Sequence, residues 1–342
     1  MTKILKQVLG IDVAQNELVV SLGKVDQSLT KDIYAYKTFA NKPSGFLALL
    51  TWVKKHSDHA IAVHYVMEAT GVYHDKLAHF LSDQSLKVSI VLPNKISSYM
   101  RTLEIKTITD KTASQAICQF GLERSLTLWQ KPKKIFRDLK QLTRERDQIV
   151  ADRVMTKNQL HAEQTEAFPN ERSIHRANQR ISLLNQQEKE IKKEIAEFVK
   201  ADKELYEKIN LVTSIPGIGS LTAVITIAET NGFNLIRNKK QLVSLAGLDV
   251  ISKDSGTSVK GKPKISKKGN RHIRKAMHMP SLNAIRNDER FKAVYIRLVS
   301  KHGIKMKAAV AVQRKMLEMI YTIWTTGKPY DKEYLQKTIG AV

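Results

Sequence analysis

Apolar and polar positions follow two rhythms along the chain, and the change falls near residue 129. Val8-Leu9-Gly10-Ile11-Asp12-Val13 is a short apolar run with one carboxylate near its end, the pattern of a buried strand. Glu17-Leu18-Val19-Val20-Ser21-Leu22 follows at once and predicts a hairpin partner. Ile33–Phe39 alternates as a third strand, and Asn41-Lys42-Pro43-Ser44 caps a helix through Lys55, with Pro43 in its first turn. Ala60–Glu68 is a further buried strand that also ends on a carboxylate. Ala69-Thr70-Gly71 turns the chain into a helix over Tyr73–Ser82. Lys87–Leu92 reads as the next strand, Pro93-Asn94 opens a helix, and another covers Thr112–Phe120.

Three antiparallel strands followed by alternating strands and helices is the order of an RNase H-like domain. From Trp129-Gln130-Lys131-Pro132 onward the rhythm is helical. Phe136, Leu139, Leu142, Ile149, Val150 and Val154 stand among dense charge. After a break at Ala167-Phe168-Pro169-Asn170, the spacing Leu184, Ile191, Ile195, Phe198 is heptad-like. Two long helices joined at that tip make a hairpin with a solvated charged face. Leu211–Gly219 then carries Pro216, Gly217 and Gly219 before the apolar helix Ser220–Thr230, the layout of a helix-hairpin-helix. Gln241–Leu248 is a short helix ending at glycine. Ala276–Arg286 (with Pro280 inside), Phe291–Ser300 and Met306–Thr325 close the chain as helices whose Met and aromatic positions read as core. The fold class expected is α/β plus α, with an RNase H-like domain over residues 1–128, a helical coiled-coil spacer over 129–206 and a mainly helical domain over 207–342.

Composition narrows the partner. Lys and Arg number 57 against 33 Asp and Glu in 342 residues, a formal net charge of +24 and a pI near 9.9. That balance fits a polyanion, and nucleic acid is favoured because the chain shows neither a basic amphipathic anchor nor a lipidation signal. No apolar window is long enough to span a bilayer, and the first residues lack a signal pattern, so no membrane partner is expected. The single cysteine, Cys118, excludes an internal disulfide framework and a Cys-based zinc site and fits a reducing cytoplasm.

The chemistry-bearing residues fall into two groups. Asp12 and Glu68 end strands, and Asp110 opens a helix. An acid on a buried strand needs a cation. Gathered together, the three could hold one or two Mg²⁺ ions and orient a phosphodiester. Two plainer roles compete: Asp12 and Glu68 as ion-pair partners of lysines, and Asp110 as a helix N-cap. The second group lies between Ser252 and Lys275. Lys253, Lys260, Lys262, Lys264, Lys267, Lys268, Arg271, Arg274 and Lys275 stand there against the lone Asp254, a charge pattern suited to a phosphate backbone. Gly217 and Gly219 let the helix-hairpin-helix backbone approach phosphate, the alternative being a tight turn that binds nothing. Within the basic loop, Ser255 precedes Gly256. A serine hydroxyl attacks phosphorus only with a base or cations beside it, and without them Ser255 is a loop serine making a local turn bond. Ser258 is its near neighbour. His272 and His278 are either bases or plain hydrogen-bonding residues.

The groups Gly10-Ile11-Asp12-Val13, Met67-Glu68-Ala69-Thr70-Gly71-Val72-Tyr73 and Thr109-Asp110-Lys111-Thr112 resemble the motifs of the DEDD-type insertion-sequence transposases, the Piv-like, bridge-RNA-guided DNA recombinases. Ala246-Gly247-Leu248, Ser255-Gly256 and Lys264-Ile265-Ser266-Lys267-Lys268-Gly269-Asn270 resemble that family's transposase domain. The resemblance covers nearly the whole chain and implies a RuvC-like first domain whose acids bind Mg²⁺. Asp12, Glu68 and Asp110 match the first three acids. The fourth should fall three residues after the third, where this chain has Ala113 followed by Ser114. The resemblance further implies that Ser255 attacks DNA and forms a covalent phosphoserine, and that a noncoding guide RNA pairs with donor and target DNA. It implies a homodimer assembling to a tetramer, in which acids of one subunit meet the serine of another, in a bacterial, nucleoid-associated setting. The expected function is therefore DNA strand cleavage and rejoining. A RuvC-like metal-dependent endonuclease that uses water, and a non-catalytic nucleic-acid-binding protein, are the alternatives.

Overall fold

The computed structural model of the chain describes residues 3–331 except 70, 104, 106, 235, 253, 256–258 and 262; for 254, 255, 259 and 260 it describes the backbone. The chain forms two compact units, Met1–Lys131 and Pro132–Val342.

The first unit is built on a five-stranded mixed sheet. β1 (Ile4–Val13), β2 (Glu17–Asp26) and β3 (Lys31–Ala40) run antiparallel, with Leu9 opposite Leu22 and Ser21 opposite Tyr36. α1 (Pro43–His56) crosses to β4 (Val63–Glu68), which pairs parallel with β1. α2 (Asp75–Asp83) leads to β5 (Lys87–Val91), parallel to β4, and α3 (Pro93–Met100) and α4 (Asp110–Glu123) complete the unit. The strand order across the sheet is β3-β2-β1-β4-β5, with the three antiparallel strands and the two later parallel ones expected from the sequence. Alternation decides what each face carries. Leu9, Ile11, Tyr65 and Met67 point to one layer with Phe46, Leu49, Leu77 and Leu81 of α1 and α2. Val8 and Val66 point to the other, with Ile96, Ile117 and Phe120 of α3 and α4. Gly10 and Asp12 follow Val8 on the α4 face, and Glu68 follows Val66. The α4 layer lies unusually close, because a Cβ at Gly10 would stand 2.2 Å from the Cys118 nitrogen and 2.4 Å from the Ser114 carbonyl oxygen.

The second unit begins with a helical hairpin. α5 (Lys134–Thr165) and α6 (Glu171–Ala201) are joined by a short turn whose Asn170 caps α6, its Oδ1 accepting from the Arg172 and Ser173 amides at 3.0 and 3.1 Å. The stripe Leu184, Ile191, Ile195 is interrupted by a carboxylate: Glu188 is 5% exposed. It accepts from Arg146 at 2.8 Å and Lys192 at 2.8 Å, and from Arg153. Burial alone would raise the Glu188 carboxyl, but the hydrogen bonds of Lys192, Arg146 and Arg153 pull it down to about 2. The cluster places paired charges across the seam, and removing one partner would leave an uncompensated buried charge.

The root of the hairpin shares one core with everything after it. Phe136 and Leu139 of α5 and Ile195 and Val199 of α6 pack with α7 (Lys203–Thr213), α8 (Ser220–Glu229) and α9 (Lys239–Leu245). Four two-residue strands follow: β6 (Val250–Ile251), β7 (Asp254–Ser255), β8 (Val259–Lys260) and β9 (Lys264–Ile265). α10 (Arg271–Asn287), α11 (Glu289–His302) and α12 (Lys305–Thr326) close the unit around Met277, Phe291, Met316 and Ile320. Met306, expected in the core, is exposed at the start of α12. Among the described residues no helix is long and apolar enough to cross a membrane.

Candidate functional site

Three chain segments bring acids to one edge of the first unit. Asp12 lies one residue past Ile11, which pairs with Met67; Glu68 follows Met67, and both acids leave the sheet on the α4 side at the carboxyl ends of their strands. Asp110 heads α4, and the close packing at Gly10 fixes that helix against β1. Its start comes two residues earlier than the sequence reading placed it, because the cap is a Thr109–Thr112 box: the Thr109 hydroxyl accepts from the Thr112 amide at 3.2 Å, and the Thr109 amide donates to the Thr112 hydroxyl at 2.8 Å. Asp110 is thus released from capping. It stands exposed in the first turn, where the helix dipole favours an anion.

The electrostatics set Asp12 and Glu68 apart from ordinary surface carboxylates. Burial pushes the Asp12 carboxyl up and the charge of Asp110 pushes it further, against a hydrogen bond from the Val13 amide. Burial and then the charge of Asp12 do the same to Glu68. Among the described residues no lysine or arginine lies within 4.0 Å of Asp12 or Glu68. As donors, three hard carboxylate oxygens that repel one another suit a divalent cation. Among the described residues, however, no three acidic, histidine or cysteine groups are gathered closely enough to hold one ion between them.

At the position of the family's fourth acid, Ala113 offers no donor, and Ser114 does not replace it. Its buried hydroxyl shares a 2.8 Å hydrogen bond with Ser21 and donates to the Lys111 carbonyl at 2.8 Å. A residue missed by the sequence reading braces this edge. The Asn41 amide donates to the Ala14 carbonyl at 2.9 Å and to the Tyr73 carbonyl at 3.2 Å, tying the turn after β1 to the turn after β4. Its place beside Pro43 had marked it only as part of a cap, but the α1 N-cap is Lys42, with no side-chain cap bond.

The serine lies in the second unit, on a narrow arm. β6 pairs antiparallel with β9, and farther out Ser255 of β7 pairs with Val259 of β8. Backbone bonds pinch the root of the arm: Ser266 N to Asp249 O at 2.8 Å, Lys267 N to Gly247 O at 3.1 Å and Asn270 N to Leu245 O at 2.6 Å. Gly269 is forced by that pinch, since a Cβ there would stand 2.3 Å from the Leu245 carbonyl oxygen. Lys264, Lys267, Lys268 and Arg271 are exposed. Arg274 is partly committed, donating to the Ala246 carbonyl at 2.7 Å. Lys253, Lys262 and Ser258 lie outside the described residues, as do the side chains of Ser255 and Lys260.

The turn between α7 and α8 divides its two glycines. Gly217, at φ +88°, has its Cβ direction filled by the Pro280 carbonyl at 2.6 Å, so packing on α10 requires it. Gly219 caps α8 with open space around it. His278 is spoken for by Gln313 at 3.1 Å, and His272 contacts Asp147 at 3.3 Å.

Residues 9–169 match the family model DEDD_Tnp_IS110, described as a transposase, and residues 209–296 match the model described as Transposase IS116/IS110/IS902 family. The chain belongs to the IS110 family of transposases. The first match spans Asp12, Glu68 and Asp110, and the second spans the Gly217–Gly219 turn and the arm with Ser255. This transposase is 28% identical over 333 residues to the pilin gene-inverting protein of Moraxella lacunata, covering 96% of this chain and 98% of that one. The protein of the same name from Moraxella bovis matches to the same extent. Among solved structures, T. thermophilus RuvC in complex with a Holliday junction substrate aligns with 34% of the transposase and 97% of its own chain, at 10% identity and a TM-score of 0.26. A likeness of that size adds nothing to the strand order already described.

Proposed function

We propose that this transposase cleaves and rejoins DNA strands through a covalent phosphoserine at Ser255, with Asp12, Glu68 and Asp110 holding Mg²⁺ beside the scissile phosphate. The observation that supports the reading most is the acid edge: three carboxylates from three motif groups, two of them raised by burial and by a neighbouring acid's charge, with no cation paired to Asp12 or Glu68 among the described residues. Mg²⁺ is usually held by one or two carboxylates, the rest of its shell being water and phosphate oxygen, so a closed three-acid cluster is not required of the protein alone. When bound, the ion would neutralise charge growing on the phosphate oxygens.

The chain's own groups do the rest. The Ser255 oxygen would bond to phosphorus as the bond from phosphorus to one strand's oxygen breaks. The serine proton leaves to a base, and the freed strand end takes one up. A second strand's hydroxyl attacking the phosphoserine reverses the exchange, ester for ester, so the reading needs no outside energy source. Lys264, Lys267, Lys268 and Arg271, with Lys253, Lys260, Lys262 and Arg274, would lie along phosphates. The open amides at Gly219 suit the helix-hairpin-helix role. The strand order supports an RNase H-like, RuvC-like first domain. A noncoding guide RNA and a homodimer assembling to a tetramer belong to the same proposal. They draw support from the net charge of +24 and from the long coiled-coil-like hairpin, whose tip leaves Phe168 95% exposed.

The test is cleavage of a donor–target DNA pair with Mg²⁺ and the element's own noncoding RNA. Asp12→Asn should abolish cleavage and leave DNA binding intact. Cleavage at the wild-type rate in that variant would overturn the assignment of the acids.

A further inference from the structure

The arm that carries Ser255 is anchored to the hairpin by one buried carboxylate. Glu229, the last residue of α8, has its side chain wholly buried. Its Oε1 accepts from Arg144 Nε at 2.7 Å, and its Oε2 accepts from Arg144 Nη2 at 3.0 Å and from Asn270 Nδ2 at 2.6 Å. Burial pushes the Glu229 carboxyl up, but the bonds from Arg144 and Asn270, together with the charge of Lys140, outweigh it and hold the group ionised. Asn270 is the last link of the pinched root. Its amide donates to the Leu245 carbonyl, and its Oδ1 caps α10 by accepting from His272 and Ile273 at 2.9 and 3.1 Å. A turn along α5 from Arg144, Asp147 takes His272 at 3.3 Å and Lys275 at 3.2 Å, so the same helix grips the start of α10 twice.

We propose that Glu229 is a positioning residue: through Asn270 on one side and Arg144 on the other, it fixes the root of the Ser255 arm to the base of the helical hairpin. Nucleic acid engaging the hairpin would then set where the serine stands, acting at a distance through these two side chains. An ordinary structural carboxylate would hold α5 to α8 alone; this one shares an oxygen with the residue that closes the arm. The consequence for strand cleavage rests on the proposed role of Ser255, while the mechanical link does not.

A polarity swap tests the link. Asn270→Asp keeps a cap of equal quality on α10 but removes the amide donor and sets a second carboxylate against Glu229. The double variant Glu229→Gln/Asn270→Asp restores a donor–acceptor pair in the opposite sense. Arg144→Gln cuts only the hairpin side and leaves the cap untouched, which covers the case of an Asn270→Asp protein that folds poorly. Two readouts are needed: amide hydrogen exchange over residues 249–270, and the rate of covalent adduct formation on a nicked DNA that cannot religate. Each single variant should speed exchange and slow adduct formation by about tenfold, with DNA affinity within about twofold. The double variant should return both towards the wild-type values. Singles that leave both readouts unchanged, or a folded double variant that rescues neither, would overturn the proposal. Should the wild-type protein form no Ser255 adduct, the serine assignment fails on its own, and the exchange measurement still decides the link.

Discussion

Replacing Gly10 with alanine tests whether the acid edge depends on the close approach of α4. The new Cβ would stand 2.2 Å from the Cys118 nitrogen and 2.4 Å from the Ser114 carbonyl oxygen, against an ordinary contact near 3.4 Å. Both neighbours are helix backbone, so α4 has to retreat by about 1 Å, whereas a side chain would simply rotate away. Overpacking of this kind costs about 1–3 kcal/mol, which lowers Tm by about 4–12 °C for a unit of this size. The functional cost should be larger than the stability cost suggests. Asp110 heads the displaced helix, and a misplacement of about 1 Å at a reacting centre costs about a hundredfold in rate. Gly121→Ala supplies the comparison, because its Cβ would meet Val8 Cγ1 at 2.7 Å and Val66 Cγ2 at 3.0 Å, side-chain atoms far along α4 from Asp110. Thermal unfolding and Mg²⁺-dependent strand cleavage should show both variants destabilised, with a large rate loss in Gly10→Ala alone. A Gly10→Ala protein that melts within about 2 °C of wild type and cleaves normally would show that the acid edge does not depend on the close approach of α4.

Two further outcomes follow from the ionisable groups. The Glu188 carboxyl is held at about 2 against an ordinary 4.5, so the stability it contributes is complete above the ordinary value and drains away as pH falls towards 2. Urea midpoints at pH 5 and pH 3 should therefore differ less for Glu188→Gln than for wild type, and equal differences would count against the buried cluster. Asp12 and Glu68 are shifted the other way: their ionised forms weaken the fold at neutral pH, and that cost disappears as pH falls through their raised values. Asp12→Asn should accordingly melt higher than wild type without Mg²⁺ and gain less from adding it; an undiminished Mg²⁺ shift would remove Asp12 from the binding site.

Much of the first unit was legible because its strands carry their assignment in composition. Val8 to Val13 and Val63 to Met67 are mainly apolar, and the period of two then places Asp12 and Glu68 on the side that α4 covers. What escaped was set by partners distant in sequence. Asn41 looks like a cap residue until its amide is seen to bridge Ala14 and Tyr73. Glu188 reads as one more charge on a solvated helix, yet it faces the seam because Arg146 and Arg153 approach from the opposite helix. Glu229 ends an apolar helix and gives no hint of Asn270. The arm has strands of two residues, too short for any alternation to show. Basic residues were legible as charge but not as role: Arg274 spends a donor on the Ala246 carbonyl, while Lys267 and Lys268 stay exposed.

Trapping the bond between Ser255 and DNA tests the proposed chemistry most directly. Protein, Mg²⁺, guide RNA and a nicked donor DNA are incubated, denatured and digested, and the DNA-linked peptide is sequenced by mass spectrometry. One adduct is expected, mapped to Ser255 and absent from Ser255→Ala and Asp12→Asn. An adduct on Ser258, or strand cleavage that persists in Ser255→Ala with no protein–DNA bond, would contradict it.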